Sequence, residues 1–388
     1  MNLLNTSKNA LVVGGGRGIG LAVVKQLIAR NINHVYIVGL HAPEGLTKEE
    51  IDKTSFIKVN FVNDDFTFLD SIKDIEFLFI SIGFGRVAKF TELLDIEIVN
   101  SVKVNQLAVT RILHHFYPNL ASENSFYCGV MVSISGLISS PLFSVYGSTK
   151  AALSKLIESI NVELKSDNSK NAILDISPGR LEGTSFYGKP DDLNSLDELS
   201  NIVINKILNK ELRYIPEYEK IYKNVLNNYF NDPFKFGLES LEYKINSGRS
   251  ESSPQVRIGY LSGTFDLFHI GHLNLLRRAK DYCDYLIVGV HSSGAWKNKE
   301  TFIPYEDRVS IVQSIKYVDE VIPSYAEDAD AWDKLKYNYL FVGSDYKNSE
   351  RFKRYEEFFK DKDVEIVYFP YTKKISSTKL RDDLNSDN

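Results

Sequence analysis

Only two cysteines, Cys128 and Cys283, occur in 388 residues, one in each half and each beside an apolar, strand-like run. Buried free thiols are expected from that placement rather than a disulfide. With only seven histidines and no Cys/His cluster, a bound zinc is not expected and no protein metal site is assigned. No apolar run approaches the length of a membrane span. The start, Met1-Asn-Leu-Leu-Asn-Thr-Ser-Lys-Asn9, lacks the basic and apolar parts of a signal peptide. A cytoplasmic protein with no membrane partner is therefore expected. Positive charge is not in excess either. The net charge is −5, the pI is about 5.9, and the basic runs are the pairs Arg277-Arg278 and Lys373-Lys374, which argues against a nucleic-acid partner.

What is present is an ordinary globular composition, 43% apolar and 25% charged, in a chain long enough for two separate cores. Periodicity breaks at Ser247-Gly-Arg-Ser-Glu-Ser-Ser-Pro254. This places a linker at 247–255, between a first domain at 1–246 and a second at 256–388. Both halves alternate strand-like and helix-like segments, so the expected fold class is α/β, two doubly wound parallel-sheet (Rossmann-like) domains in tandem.

The second half opens on Gly259-Tyr-Leu-Ser-Gly-Thr-Phe-Asp-Leu-Phe-His-Ile-Gly-His272: a strand, a loop and a helix start. Loop N–H groups and the helix dipole favour a phosphate there, and His269 and His272, one turn apart, can point at the same oxygens. Downstream stand Lys297-Asn-Lys299, Pro304-Tyr-Glu-Asp-Arg308, Tyr317-Val-Asp-Glu-Val-Ile-Pro323, Phe341-Val-Gly-Ser-Asp345 and Ile375-Ser-Ser-Thr-Lys379. In this order the motifs resemble the glycerol-3-phosphate cytidylyltransferase family, from about Arg257 to Asp383. The resemblance implies that His269, His272 and Lys299 act on the triphosphate. It also implies that Gly263, Thr264, Phe265, Asp266, Lys297, Arg308, Lys316, Asp345, Tyr371, Ser376, Ser377 and Thr378 bind CTP or the phosphorylated acceptor, with Mg²⁺ bridging phosphate oxygens. Adenylyl transfer on the same His-x-Gly-His fold remains open.

In the first half, Ala10-Leu-Val-Val13 reads as a buried strand, followed by Gly14-Gly-Gly-Arg-Gly-Ile-Gly20 and an amphipathic helix from Leu21 to Arg30. Strand, glycine turn and helix suit a dinucleotide pyrophosphate. The second strand, His34 to Gly39, ends at Leu40-His41 without the acidic residue that would hold a ribose 2′-hydroxyl, and Arg17 can reach a 2′-phosphate. NADPH is thus favoured over NADH. Further strands are expected at Phe56–Phe61, Phe77–Gly83 and Val130–Ser135, and a helix at Leu94–Leu120. Tyr146 and Lys150, four apart, share a helix face, so the ammonium can lie under a phenol that ordinarily titrates near 10.

Together with Asn105, a strand-end serine and Ser177-Pro-Gly179, these residues resemble the short-chain dehydrogenases/reductases over about residues 8 to 245. The resemblance implies that Tyr146 is the general acid, Lys150 its cationic partner, Asn105 part of a water relay, and Ser135 the carbonyl-orienting serine with Ser133 in reserve. Gly14, Gly16, Arg17, Gly18, Ile19, Gly20, His41, Asn60, Gly83, Pro178 and Gly179 form the implied cofactor site, and a homo-oligomer, dimer or tetramer, is implied as well. Two departures stand out: Ser81-Ile-Gly83 replaces the usual Asn-Ala-Gly, and Gly136 occupies the register where the serine is expected.

Joined, the halves read as a bifunctional enzyme that reduces a ketose phosphate and then converts the alditol phosphate to a CDP-alditol for surface polysaccharide. The family's acceptor-site arginines are Lys316 and Tyr371 here, which favours a pentitol made from a ketopentose 5-phosphate such as ribulose 5-phosphate. Two alternatives are a route from dihydroxyacetone phosphate to CDP-glycerol, and a first half that is a non-catalytic, reductase-like oligomerisation module.

Overall fold

The computed structural model describes residues 8–62, 66–184, 186, 190–248, 256–292 and 301–370. The chain divides into two compact units, Met1–Pro254 and Gln255–Asn388.

The first unit carries a seven-stranded parallel sheet in the order β3-β2-β1-β4-β5-β6-β7. The strands are β1 (Asn9–Val13), β2 (His34–Gly39), β3 (Thr54–Lys58), β4 (Ile75–Ile80), β5 (Tyr127–Met131), β6 (Ala172–Ile176) and β7 (Arg213–Tyr214). Each central strand is an unbroken apolar run because both of its faces are covered. Along β1, Leu11 and Val13 enter one core with Leu78, Val130 and Ile157, while Ala10 and Val12 enter the other with Phe79, Val24 and Ile204. The two-residue period of a strand thus sends alternate side chains into two helical layers.

The second unit repeats the plan with five parallel strands in the order β10-β9-β8-β11-β12: β8 (Ile258–Gly263), β9 (Tyr285–Val290), β10 (Glu320–Pro323), β11 (Tyr339–Gly343) and β12 (Glu365–Phe369). Here Leu261, Val288 and Phe341 face one core and Tyr260, Ile287 and Leu340 the other. In each sheet the first strand lies where the winding reverses, so β1 and β8 both open their following loops into a crevice at the carboxyl edge. The glycine loop and the His-x-Gly-His loop are those two loops.

Several boundaries differ from the sequence reading. β3 covers 54–58 rather than 56–61, and β5 stops at Met131, so Ser133 to Ser135 leave the strand. The segment expected as a helix over 94–120 is Asp95–Val102, a π-helical turn Lys103–Ala108, Val109–His115 and, after a break at Phe116, Tyr117–Ala121. The last break falls just before Pro118, whose ring fixes φ and lacks a donor for the preceding turn.

Candidate functional site

In the first unit, the glycine loop turns tightly: Gly14 has φ +89° and Gly18 φ +50°, a region L-residues avoid. A Cβ at Gly20 would collide with the Gly14 carbonyl, so glycine there lets the helix close on the loop, and a Cβ at Gly16 would collide with the carbonyl of His41, so glycine there lets the loop close on the segment after β2. Ser81, where the family has asparagine, donates to the carbonyls of Val13 (3.2 Å) and Gly14 (3.4 Å), so the smaller side chain still supports the loop. The Gly18 N–H, at the start of the helix Gly18–Ala29, donates to the Asp191 carboxylate at 2.8 Å. A phosphate entering this helix end must displace that carboxylate.

Arg17 is exposed at the N-cap of the same helix, and His41 follows β2. His41 titrates below its usual range, through burial and then through the nearby charges of Arg17 and Lys58. Lys58 is a residue the sequence reading missed. It comes close because β3 pairs with β2 at Gly39↔Lys58, a neighbour relation invisible until the strands are registered. Asn60, just beyond, turns its side-chain oxygen to the N–H of Val62 (3.1 Å). Ile19 is buried in the core, so its side chain does not face the glycine loop's crevice and only its backbone is left to meet a cofactor.

Four of the expected reductase residues converge. Lys150 is fully buried in the helix Ser144–Ser166, and its Nζ donates to the Met131 carbonyl at 2.9 Å, 5.7 Å from the centre of the Tyr146 ring. Burial pulls the Lys150 ammonium down to about 8, against the opposing charge of Asp175. Gly83, at φ +153°, leaves room for both Lys150 and Asn105: a Cβ would lie 3.1 Å from Nζ and 3.3 Å from the Asn105 oxygen. Asn105 sits in the π-helical turn, completely buried, exchanging hydrogen bonds with the backbone of Phe84 (2.9 and 2.8 Å) and donating to Thr149 (3.2 Å). Gly85 lies against the Tyr146 ring, which stacks on Phe143 at 4.3 Å. Pro178 accepts from the Ile134 N–H (2.9 Å), and Tyr222 fills the space over Gly179.

Ser135 does not join this group. It lines a cavity of about 280 Å³ together with Ser144, Gly147, Ser148 and Ala151. On a helix these four positions lie roughly 100–200° around from Tyr146. β5 ends at Met131, and Ser133, two residues beyond it, is 7% exposed and caps the short turn Ile134–Gly136 by accepting from the Ser135 N–H at 3.1 Å.

In the second unit, β8 runs into a loop in which Phe265 (φ +53°) and Leu267 (φ +48°) both adopt left-handed backbone, strain held by the burial of the Phe265 ring. The helix Ile270–Tyr282 then begins with an unusual cap. Nδ1 of His269 accepts from the Gly271 N–H (3.0 Å), and Nδ1 of His272 accepts from the His269 N–H (3.4 Å). The rings stack at 4.1 Å. With both Nδ1 atoms accepting, each neutral ring carries its hydrogen on Nε2, a donor at a positive helix end. Burial lowers the His269 pKa, which favours the neutral ring.

Asp266 and Arg308 shape the loop. Asp266 is 2% exposed and accepts from the N–H groups of Phe302 (3.1 Å) and Ile303 (2.9 Å). Arg308, expected among the ligands, has no exposed surface, and its guanidinium donates to the carbonyls of Ile303, Thr264, His291 and Ser292 at 2.6–3.2 Å. It holds loops 264, 291–292 and 303 together and is a frame rather than a ligand. Gly263 packs under the Phe265 ring, and Gly343 ends β11 beneath the Asp345 carboxylate. Lys316 is exposed beside Tyr317. Lys297, Lys299, Tyr371, Ser376, Ser377 and Thr378 lie outside the described residues. Among the described residues no group of three His, Cys, Asp or Glu side chains could hold a metal ion, and no helix is long and apolar enough to cross a membrane.

Residues 8–189 match the short chain dehydrogenase family model, and residues 260–383 the cytidylyltransferase-like model. The glycerol-3-phosphate cytidylyltransferase of Bacillus subtilis is 40% identical over 126 residues, 31% of this chain and 92% of that protein. The Staphylococcus aureus protein of the same name is 36% identical over 126 residues, covering 31% and 90%. An ethanolamine-phosphate cytidylyltransferase of Dictyostelium discoideum is 38% identical over 108 residues, 26% of this chain and 30% of that one. Among solved structures, a short chain dehydrogenase from Burkholderia cenocepacia in complex with NADP is 18% identical and covers 62% of this chain and 99% of its own, with a TM-score of 0.49.

Proposed function

For a chain that belongs through its second unit to the glycerol-3-phosphate cytidylyltransferase family, and whose first unit is a short chain dehydrogenase domain, we propose a two-step activity on one phosphorylated substrate. The first unit reduces a ketose phosphate with NADPH, and the second transfers a cytidylyl group from CTP to the resulting alditol phosphate. The reading rests on one observation: two chemically complementary residue pairs, Tyr146 with Lys150 and His269 with His272, stand on one polypeptide. A reductase creates the hydroxyl that turns a ketose phosphate into an alditol phosphate, and a cytidylyltransferase activates that phosphate.

The glycine loop and the Arg17, His41 and Lys58 group fit a dinucleotide bearing a 2′-phosphate. When bound, the nicotinamide supplies hydride to the carbonyl carbon. Tyr146 gives its proton to the carbonyl oxygen as charge develops there, and the Lys150 ammonium stabilises the phenolate left behind. Ser133 takes the role of orienting that oxygen, and Asn105 holds the backbone at Phe84 against the site. In the second unit the Nε2–H groups of His269 and His272 steady the phosphates while the alditol phosphate attacks the α-phosphorus and pyrophosphate leaves. No protein cage for a metal is built from the described residues, so Mg²⁺ would arrive on the triphosphate. Cytoplasmic CDP-alditol synthesis for a surface polysaccharide, by a homo-oligomer, completes the proposal.

A pentitol phosphate is the preferred acceptor, because Lys316 and Tyr371 cannot reproduce the bidentate grip of two arginines. The second reading, CDP-glycerol from dihydroxyacetone phosphate, is favoured by the names of the 40% and 36% identical relatives. Dihydroxyacetone phosphate, ribulose 5-phosphate, xylulose 5-phosphate and fructose 6-phosphate, each supplied with NADPH and CTP and followed by mass spectrometry, separate the two. A CDP-pentitol is expected; CDP-glycerol alone would establish the second reading.

For the cofactor, Arg17→Ala and Lys58→Ala should each weaken NADPH by about 10-fold or more and leave NADH nearly unchanged, since a charged contact to phosphate contributes about 1.5–3 kcal/mol. Fluorescence titration measures both constants. Equal losses for the two cofactors would remove the 2′-phosphate role.

A further inference from the structure

A buried carboxylate that the reaction above does not use lies beneath the reductase site. Asp175 is 1% exposed on β6, and β6 pairs with β5 so that Asp175 stands opposite Val130, one residue before the Met131 whose carbonyl holds Lys150 Nζ. The carboxylate accepts from Ser154 Oγ (2.6 Å) and Ser177 Oγ (2.6 Å), and Arg213 of β7 stands 3.2 Å away. Ser154 is one helical turn beyond Lys150 and also accepts from Arg213 (3.0 Å). Outside this cluster, Glu158 approaches Arg213 at 3.8 Å, where both are exposed. Among the described residues, the charged and titratable groups around the lysine are Tyr146 on its own helix, Asp175 on β6 and, behind Asp175, Arg213 on β7.

We propose that Asp175 is a positioning residue of the reductase, the fixed counter-charge that keeps the Lys150 ammonium charged and in place under Tyr146. The inference rests on the reductase reading above. Its physical cause is the cost of burying an ammonium, which in a dry site is lowered by a nearby anion. Burial drives Lys150 down to about 8, and Asp175 is the group whose charge works the other way. Two serines and an arginine hold the carboxylate in position, so it cannot turn away from the lysine's side of the sheet.

Asp175→Asn in the full chain keeps the shape and removes the charge. Lys150 should then lose its proton at lower pH, moving the alkaline limb of the pH profile for carbonyl reduction down by about one unit. A one-unit shift corresponds to roughly a threefold loss of kcat/KM at pH 7.5 and little change at pH 6.5. Arg213→Gln, which leaves Asp175 without its cation, should move the limb the other way. Ser154→Ala, which removes two hydrogen bonds and no charge, should leave it in place.

Thermal unfolding tests the same point without any reaction. Lys150 titrates lower in the folded than in the unfolded chain, so the unfolded chain binds more protons between the two values, and stability from this group rises with pH there. In Asp175→Asn that rise starts earlier. The melting deficit of the variant, read on the transition that the substitution moves, should be largest near about pH 6.5 and shrink towards about pH 9. A wild-type chain that reduces no carbonyl refutes the reductase reading, and the unfolding arm still decides this one. A deficit constant with pH, or Ser154→Ala shifting the limb as far as Asp175→Asn, overturns the counter-charge. If Asp175→Asn does not fold, Arg213→Gln decides: an upward shift supports the proposal and an unchanged limb overturns it.

Discussion

Tyr146→Phe is expected to lower ketose-phosphate-dependent NADPH oxidation by about 10²–10⁴-fold, the usual contribution of a positioned general acid, with NADPH affinity unchanged. The phenol is half-buried, its ring held between Phe143, Phe186 and Gly85, so removing only the oxygen disturbs no packing. The loss should therefore appear in kcat far more than in KM, because the oxygen is needed where charge develops on the carbonyl and not where the substrate rests. Stopped-flow NADPH absorbance and cofactor fluorescence measure the two effects separately. Cytidylyl transfer to a chemically prepared alditol phosphate should continue at the wild-type rate. Unchanged NADPH oxidation in the variant would show that Tyr146 is not the acid, and a wild type that never oxidises NADPH would leave the first unit as a binding module.

His269→Ala and His272→Ala should each lower CDP-alditol formation by about 10²–10³-fold, the scale on which one pre-placed donor at a developing charge is felt. Reduction should be untouched. Both rings are also part of a helix cap, and losing a cap costs about 1 kcal/mol of stability. A rate loss of 10²–10³ corresponds to about 2.7–4 kcal/mol of barrier, more than the cap accounts for. His269→Asn separates the two contributions: asparagine is a good N-cap and keeps the acceptor for the Gly271 N–H, but places no donor where Nε2 stood. It should melt like the wild type and transfer like the alanine variant. Transfer restored by asparagine would make His269 a structural cap alone. Loss of both activities from either alanine variant would show that the two units do not work independently.

The two sites were legible to different depths. The glycine loop, the Tyr146–Lys150 pair and the His269–His272 pair are all local, with partners within one or two helical turns, so their geometry follows from spacing alone. Ser135 lines a different cavity from the one expected because the strand ends at Met131 and Ile134–Gly136 forms a tight turn, so Ser133 and Ser135, which would share a face on a continued strand, diverge. Arg308 reads in sequence, by its place in the family motif, as a ligand or a site-shaping residue. It is buried because four carbonyls from loops up to 44 residues away surround its guanidinium.

From the sequence by itself came the two-unit α/β plan, the parallel sheets, the glycine loop and the Tyr146–Lys150 and His269–His272 pairs. Each of these is written in patterns of two or of three to four residues that the backbone imposes on its near neighbours. Only the tertiary structure brought Lys58 beside Arg17 and His41, Gly83 beneath Lys150 and Asn105, and Asp175 under the lysine. Those neighbours are joined by strand register and by helices crossing the sheet, over separations of tens of residues. No local period encodes them, because a charge is paired or buried according to which strand lies alongside, and that is decided when the core closes.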